Sequence, residues 1–181
     1  IDQCGPGQGP TTIKPIMIEA RVPFDENGNP TLDDRYNTPH RFTVQVNFPS
    51  DVIMEITSEG RNGILVEGTK GRIFVNRGTI AGKPIEDLDN NPLSGGWLED
   101  MYGGPVVEHV NNFFDCIASR KKPASDVWTH VASINTCHLS NIALRLNRQI
   151  EWDAATQTIK GDVKANAMLK RDFRKGYEIE L

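Results

Sequence analysis

The apolar residues of this chain change their period once, and that change fixes the class of fold. Phe42, Val44, Val46 and Phe48 alternate with Thr43, Gln45 and Asn47, the period of two that gives a strand one buried and one solvated face. Pro49-Ser50-Asp51 turns the chain, and Val52, Met54 and Ile56 continue the alternation in a hairpin partner. Residues 64–67 and 72–75 form a second hairpin around Gly68-Thr69-Lys70-Gly71, and Thr79-Ile80 follows the Arg77-Gly78 turn. Upstream, residues 13–22 predict a first strand in which Pro15 demands an edge or a kink. The spacing then becomes helical. Val106, Val110, Phe113, Phe114 and Ile117 lie three or four apart behind Pro105, a good first helical residue, and Lys122-Pro123 stops the run. A second helix is predicted over residues 127–146, with Val131, Ile134, Leu139, Ile142, Ala143 and Leu146 as its apolar stripe. Asp162 caps a third, short one running through Leu169. Strands first and helices afterwards predict an α+β fold: an open, largely antiparallel sheet with helices packed on one face.

At 181 residues, 38% hydrophobic and with a net charge of −4, the chain is sized for one domain with one core. A pI near 5.6 and the lack of a basic stripe exclude nucleic acid as partner. Arg120-Lys121-Lys122, the one basic cluster, falls at a helix C-terminus, where cations favour the dipole. No apolar run is long enough to span a bilayer, and Ile1-Asp2-Gln3-Cys4 is not the start of a signal peptide. A cytoplasmic location is the favoured expectation, with an exported parent left open because a signal on a longer chain would precede Ile1. Cys4, Cys116 and Cys137 are an odd set without CxxC spacing, so neither a disulfide framework nor a zinc site is indicated; the two in helical patterns read as buried thiols.

Gly5-Pro6-Gly7-Gln8-Gly9-Pro10 cannot form regular structure and reads as a connector. It is not a dinucleotide loop, which must follow a strand and open a helix. Residues 86–104 form a long polar loop in which Trp97, Met101 and Tyr102 predict docking onto the core. Of the four histidines, His40 and His109 read as solvated, His130 opens the second helix and His138 flanks its stripe. None belongs to a triad or to a metal-binding spacing. Arg61 and Asn62 stand where one strand ends and the next begins, and Tyr36 stands at a strand entry. Each reads either as turn chemistry or as a donor to a hydroxylated ligand. In the Asn62-Gly63 turn, Gly63 is expected at positive φ.

Three phrases carry a resemblance: Glu67-Gly68-Thr69-Lys70-Gly71-Arg72-Ile73-Phe74-Val75; His109 to Ile117 with Ser119-Arg120-Lys121-Lys122-Pro123; and Cys137-His138-Leu139-Ser140-Asn141-Ile142-Ala143-Leu144-Arg145-Leu146. In this order and spacing they resemble the C-terminal domain of the glucose-fructose oxidoreductase / inositol dehydrogenase (Gfo/Idh/MocA) family, a dihydrodipicolinate-reductase-like fold. The resemblance implies that residues 1–12 are the connector from a missing N-terminal Rossmann domain carrying NAD or NADP. Residues 13–181 would then be one domain that shapes the pocket for a sugar, polyol or related hydroxy compound and builds a homo-oligomer through its sheet face. It places Asp2 at the end of the family's catalytic His-x-Ile-Asp phrase, whose His would precede Ile1, and makes Tyr36, Arg61 and Asn62 candidate substrate contacts. The fragment alone is expected to hold no cofactor or metal and to be inactive. The competing expectation is a non-catalytic carbohydrate-binding or scaffolding module.

Overall fold

The computed structural model describes residues 9–83, 85–88, 90–92, 94–96, 99 and 108–178. They form two compact units: residues up to 59 with residues from 127 onward, and residues 60–126 between them.

The first unit is built on a five-stranded antiparallel sheet in the order β3-β2-β1-β7-β8. Its strands are β1 (Thr12–Ala20), β2 (Pro39–Asn47), β3 (Ile53–Thr57), β7 (Ile150–Asp153) and β8 (Thr158–Ile159). The alternation foretold β2 and β3 to within a few residues. In the β2–β3 turn Ser50 and Asp51 both take positive φ, 64° and 59°, while the Phe48 N–H donates to the Val52 carbonyl at 2.8 Å. β1 is central, yet tolerates Pro15 for two reasons. Its pairing with β2 shifts register between Pro15 and Met17, and β7 pairs only with Thr12 and Ile13, so no neighbour on that side needs the missing N–H.

Ile13, Val44 and Val46 point to the covered face and are fully buried. Against them lies α2 (Val127–Leu146), through Leu139, Ile142, Ala143 and Leu144, with Trp152, Ile150 and Ile159 closing the side. All of the buried residues of α2 lie from Thr136 onward, whereas Trp128, Val131 and Ile134 are exposed. The predicted stripe is therefore buried only along its second half. Ser133, Thr136 and Ser140 each donate a hydroxyl to the carbonyl four residues back, which lets polar side chains face the core without an unpaired donor. Asn147 at φ 47° ends the helix, and the Arg148 N–H reaches back to the Ala143 carbonyl.

The opposite face of the sheet is polar and internally bonded. Thr43 and Thr57 share a hydroxyl hydrogen bond at 2.9 Å, Gln45 donates to Asn47, and Asn47 donates to Thr12. Arg41 bridges Glu19 of β1 and Glu59 beyond β3, both at 2.9 Å.

Beyond the sheet, α3 (Val163–Ala167) is capped by Asp162 as expected, though it ends before Leu169. The Asp162 carboxylate accepts from the Ala165 N–H at 2.9 Å and takes a two-pronged bond from Arg148, at 2.8 Å for each oxygen. Asn166 ties the same turn to β8 through the backbone of Ile159.

The second unit carries a three-stranded antiparallel sheet, β4 (Ile64–Gly68), β5 (Gly71–Val75) and β6 (Ile80–Ala81), then a 3-10 turn at Ile85–Asp87 and the helix α1 (His109–Ser119). Where one sheet was expected there are two, and the break falls at the Gly60-Arg61-Asn62-Gly63 segment, with Gly60 at φ 86°. Pro105 and Val106, foreseen as the start of α1, lie outside the described residues, as do Trp97, Met101 and Tyr102. Val110, Phe113, Phe114 and Ile117 are all exposed, and among the described residues this unit buries no apolar side chain. The cysteine expectation is also corrected: Cys116 is half-buried and Cys137 exposed, because Cys137 lies beside the apolar stripe of α2 and not on it.

Burial pushes the Asp162 carboxyl upward, but the Ala165 N–H and the Arg148 guanidinium outweigh it and hold the group below the usual carboxylate range. A carboxyl depressed on folding contributes stability that is present above about pH 4 and lost as pH falls through the folded value. Asp162→Ala is expected to destabilise the first unit by about 1–2 kcal/mol at neutral pH. In urea unfolding, that difference from the unsubstituted chain should shrink on acidification below about pH 4.

Candidate functional site

Within the first unit, a groove of about 260 Å³ opens between the start of β2, β3 and α2, lined by Thr38, Phe42, Ile56, Cys137, Ser140 and Asn141. Its floor is apolar. The Ser140 hydroxyl is committed to the Thr136 carbonyl, so it is neither a free donor nor an activated nucleophile.

The chain reaches the rim of this groove through the excursion between β1 and β2, which is tightly held. The Asp25 carboxylate accepts from the N–H groups of Asn27 and Asn29, and those bonds lower its pKa. Gly28, at φ 75°, offers its carbonyl to the Arg145 guanidinium of α2 at 2.6 Å. A side chain on Gly28 would press into Leu146 and Met168, so the turn seats against the helix only as glycine. Tyr36 follows, 65% exposed, two residues before Thr38.

Arg61 and Asn62 belong to the other unit, so the structure does not gather the three candidate substrate contacts into one unit. The Arg61 guanidinium lies 4.2 Å from the centroid of the Phe74 ring. Its donors stay open at the edge while its face is fixed on β5. Asn62 is exposed beside it. Gly63 does not take the positive φ expected of an Asn-Gly turn. Its glycine is required by space instead: a Cβ there would stand 2.5 Å from the Phe74 ring and 2.7 Å from the Val75 carbonyl oxygen. Asp2 lies outside the described residues.

His40, His109, His130 and His138 are all exposed, and no group of three His, Cys, Asp or Glu suited to a metal occurs among the described residues. The described candidates are polar side chains that can donate hydrogen bonds. None of them forms an acid–base pair or a nucleophile–base pair.

The fit to a dinucleotide can be tested from the helix ends. A pyrophosphate needs a strand, a glycine-rich turn and a helix whose N-terminal N–H groups are free to meet it. Here both described sheets are antiparallel, and among the described residues the helices α1, α2 and α3 are each immediately preceded by a carboxylate: Glu108, Asp126 and Asp162. A carboxylate at the positive end of a helix repels a second anion. These residues do not fit a nicotinamide dinucleotide.

An antiparallel α+β domain of this kind has a known counterpart. Residues 14–179 match the model described as "Oxidoreductase family, C-terminal alpha/beta domain", of the Gfo/Idh/MocA group. The chain belongs to that family. No curated protein and no solved structure matches it.

The Arg61 and Gly63 geometry separates two roles by experiment. Gly63→Val is expected to destabilise the β4–β5 hairpin by about 1–3 kcal/mol through collision with Phe74. Arg61→Ala should cost no more than about 0.5–1 kcal/mol, the worth of an exposed cation–π contact. Amide exchange across β4 and β5 would reveal the difference, and equal effects would refute the steric reading of Gly63.

Proposed function

We propose that this domain is the substrate-binding and oligomerisation half of a nicotinamide-dependent oxidoreductase acting on a sugar, polyol or related hydroxy compound, with NAD or NADP carried by an N-terminal Rossmann domain. The observation that supports this most directly is the oxidoreductase family match over residues 14–179, beside which the described helices each follow a carboxylate in the sequence. In such a division of labour one domain holds the dinucleotide and transfers hydride, while the other presents fixed donors to the hydroxyls and keeps water out. Arg61, Asn62 and Tyr36 are the donors proposed here. Asp2 is proposed to be the last residue of the catalytic phrase that ends the segment crossing from the cofactor half.

Titration calorimetry of the 181-residue chain with NADH should give no micromolar binding, whereas the parent protein should bind it. Micromolar binding by the isolated chain would reverse the assignment of roles. In the parent, Arg61→Ala is expected to raise the apparent KM about tenfold, equivalent to about 1.4 kcal/mol of lost polar contact, with kcat little changed. Unaltered kinetics would remove Arg61 from the site.

The oligomer is proposed to form through the polar face of the five-stranded sheet. Thr12, Thr43, Gln45, Asn47 and Thr57 make a flat surface whose side chains already bond to one another, so covering it desolvates few unpaired groups. Gln45 stands opposite Glu55, which means that Gln45→Lys would create a favourable cross-strand pair and keep the sheet intact. It would also place like charges face to face in a two-fold assembly. Sedimentation of this variant should show association weakened at least tenfold, and a strict monomer for the unsubstituted chain at high concentration would exclude the assembly.

A further inference from the structure

We propose that Asn27-Gly28 is a latent deamidation site which the Asp25 carboxylate holds closed, and whose opening would unseat the β1–β2 excursion from α2. Asparagine followed by glycine is a chemically labile pair, because glycine has no side chain to keep its main-chain nitrogen away from the asparagine amide. In the reaction the Gly28 nitrogen bonds to Cγ of Asn27, its proton passes through water to the leaving nitrogen, and ammonia departs. Water then opens the five-membered imide at one carbonyl or the other, which leaves aspartate or isoaspartate at position 27. Only water is consumed.

The fold itself demands the labile pair's glycine. Gly28 stands at φ 75°, and a Cβ on it would lie 3.2 Å from Leu146 Cδ2 and 3.2 Å from Met168 Cε. Its carbonyl is the acceptor through which Arg145 of α2 holds the turn, at 2.6 Å.

The turn blocks the reaction at its first step. The Gly28 N–H donates to the Asp25 carbonyl at 3.0 Å, which closes a β-turn with Asn27 at its third position and shields the proton that a base must remove. Oδ1 of Asp25 accepts from the N–H of Asn27 at 2.9 Å and from that of Asn29 at 2.8 Å, so the residues on either side of Gly28 hang from one oxygen. The Asp25 N–H closes the loop again on the Asn29 carbonyl at 2.8 Å. Before its nitrogen can reach Cγ, the peptide between Asn27 and Gly28 must rotate. That rotation breaks the bond to the Asp25 carbonyl and strains both bonds to the carboxylate. Isoaspartate would add a carbon to the main chain at position 27, and the lengthened turn could not keep the carboxylate bonds and the Arg145 clasp together.

Peptide mapping by mass spectrometry of the 181-residue chain, aged at neutral pH, tests this. Conversion at residue 27 should run at least about tenfold slower in the folded chain than in the same chain in concentrated urea, the scale set by hydrogen bonds to a charged group. Asp25→Ala should recover most of that difference in a chain whose circular dichroism is unchanged. Asp25→Asn, which keeps an oxygen acceptor without the charge, should lie between the two. Equal rates with and without urea would overturn the proposal whatever the variants do. A folded Asp25→Ala chain that converts as slowly as the unsubstituted one would overturn the part given to the carboxylate. If the alanine variant does not fold, an Asp25→Asn chain as slow as the unsubstituted one would overturn it instead.

Discussion

The contact of Leu139, Ile142 and Ala143 with Ile13, Val44 and Val46 is the one on which the rest of the first unit depends. It joins the longest of the described helices to the centre of the sheet, and the other described elements of this unit are attached to one side of that contact or the other. The turn at Gly28 hangs from Arg145 on the same helix, and the α3 turn hangs from Arg148 just beyond it. Removing the apolar seam would thus release both polar clasps. Neither could survive alone, since a charged hydrogen bond in water contributes little until packing fixes its partners.

The two units differ in how their apolar surface is used. In the first it is spent on a core, and the polar side chains that reach inward, Thr136 and Ser140, are satisfied within their own helix. In the second, β4 and β5 pair Ile64 with Val75 and Val66 with Ile73, which puts branched aliphatic side chains together on one face, half-buried on β5 and exposed on β4. Surface of that kind signals contact with something further.

Much of the fold was legible. β2, β3, the β4–β5 hairpin and α2 follow from periods of two and 3.6, and Asp162 was readable as a cap because a short acidic residue precedes a helix-forming run. β7 and β8 were not foreseen. They have four and two residues, too few for alternation to register, and they are strands because Ile150 and Trp152 find the edge of β1 and the core, which is a tertiary fact. The stripe of α1 was read as amphipathic from its period, which states that a face needs covering and not what covers it. At the candidate site the pattern located Arg61 and Gly63 but not their relation through Phe74. The ring stands one strand away, and only the β4–β5 register brings it over. The groove beside Phe42 and Ser140 had no local signature, since its residues come from three separate stretches of chain.

The interrupted layout of the first unit has a consequence for how the protein is made. β1, β2 and β3 leave the ribosome before α2, the helix that closes their apolar face, which lies beyond residues 60–126. At roughly 5–20 residues per second the nascent sheet waits several seconds with Ile13, Val44 and Val46 uncovered. During that interval it is a sheet with one greasy side and an open β3 edge, the kind of surface that chaperones hold and that neighbouring nascent chains can join. The polar ladder of Thr43, Thr57, Gln45 and Asn47 on its other side then acquires a second value: it keeps half of the waiting sheet soluble.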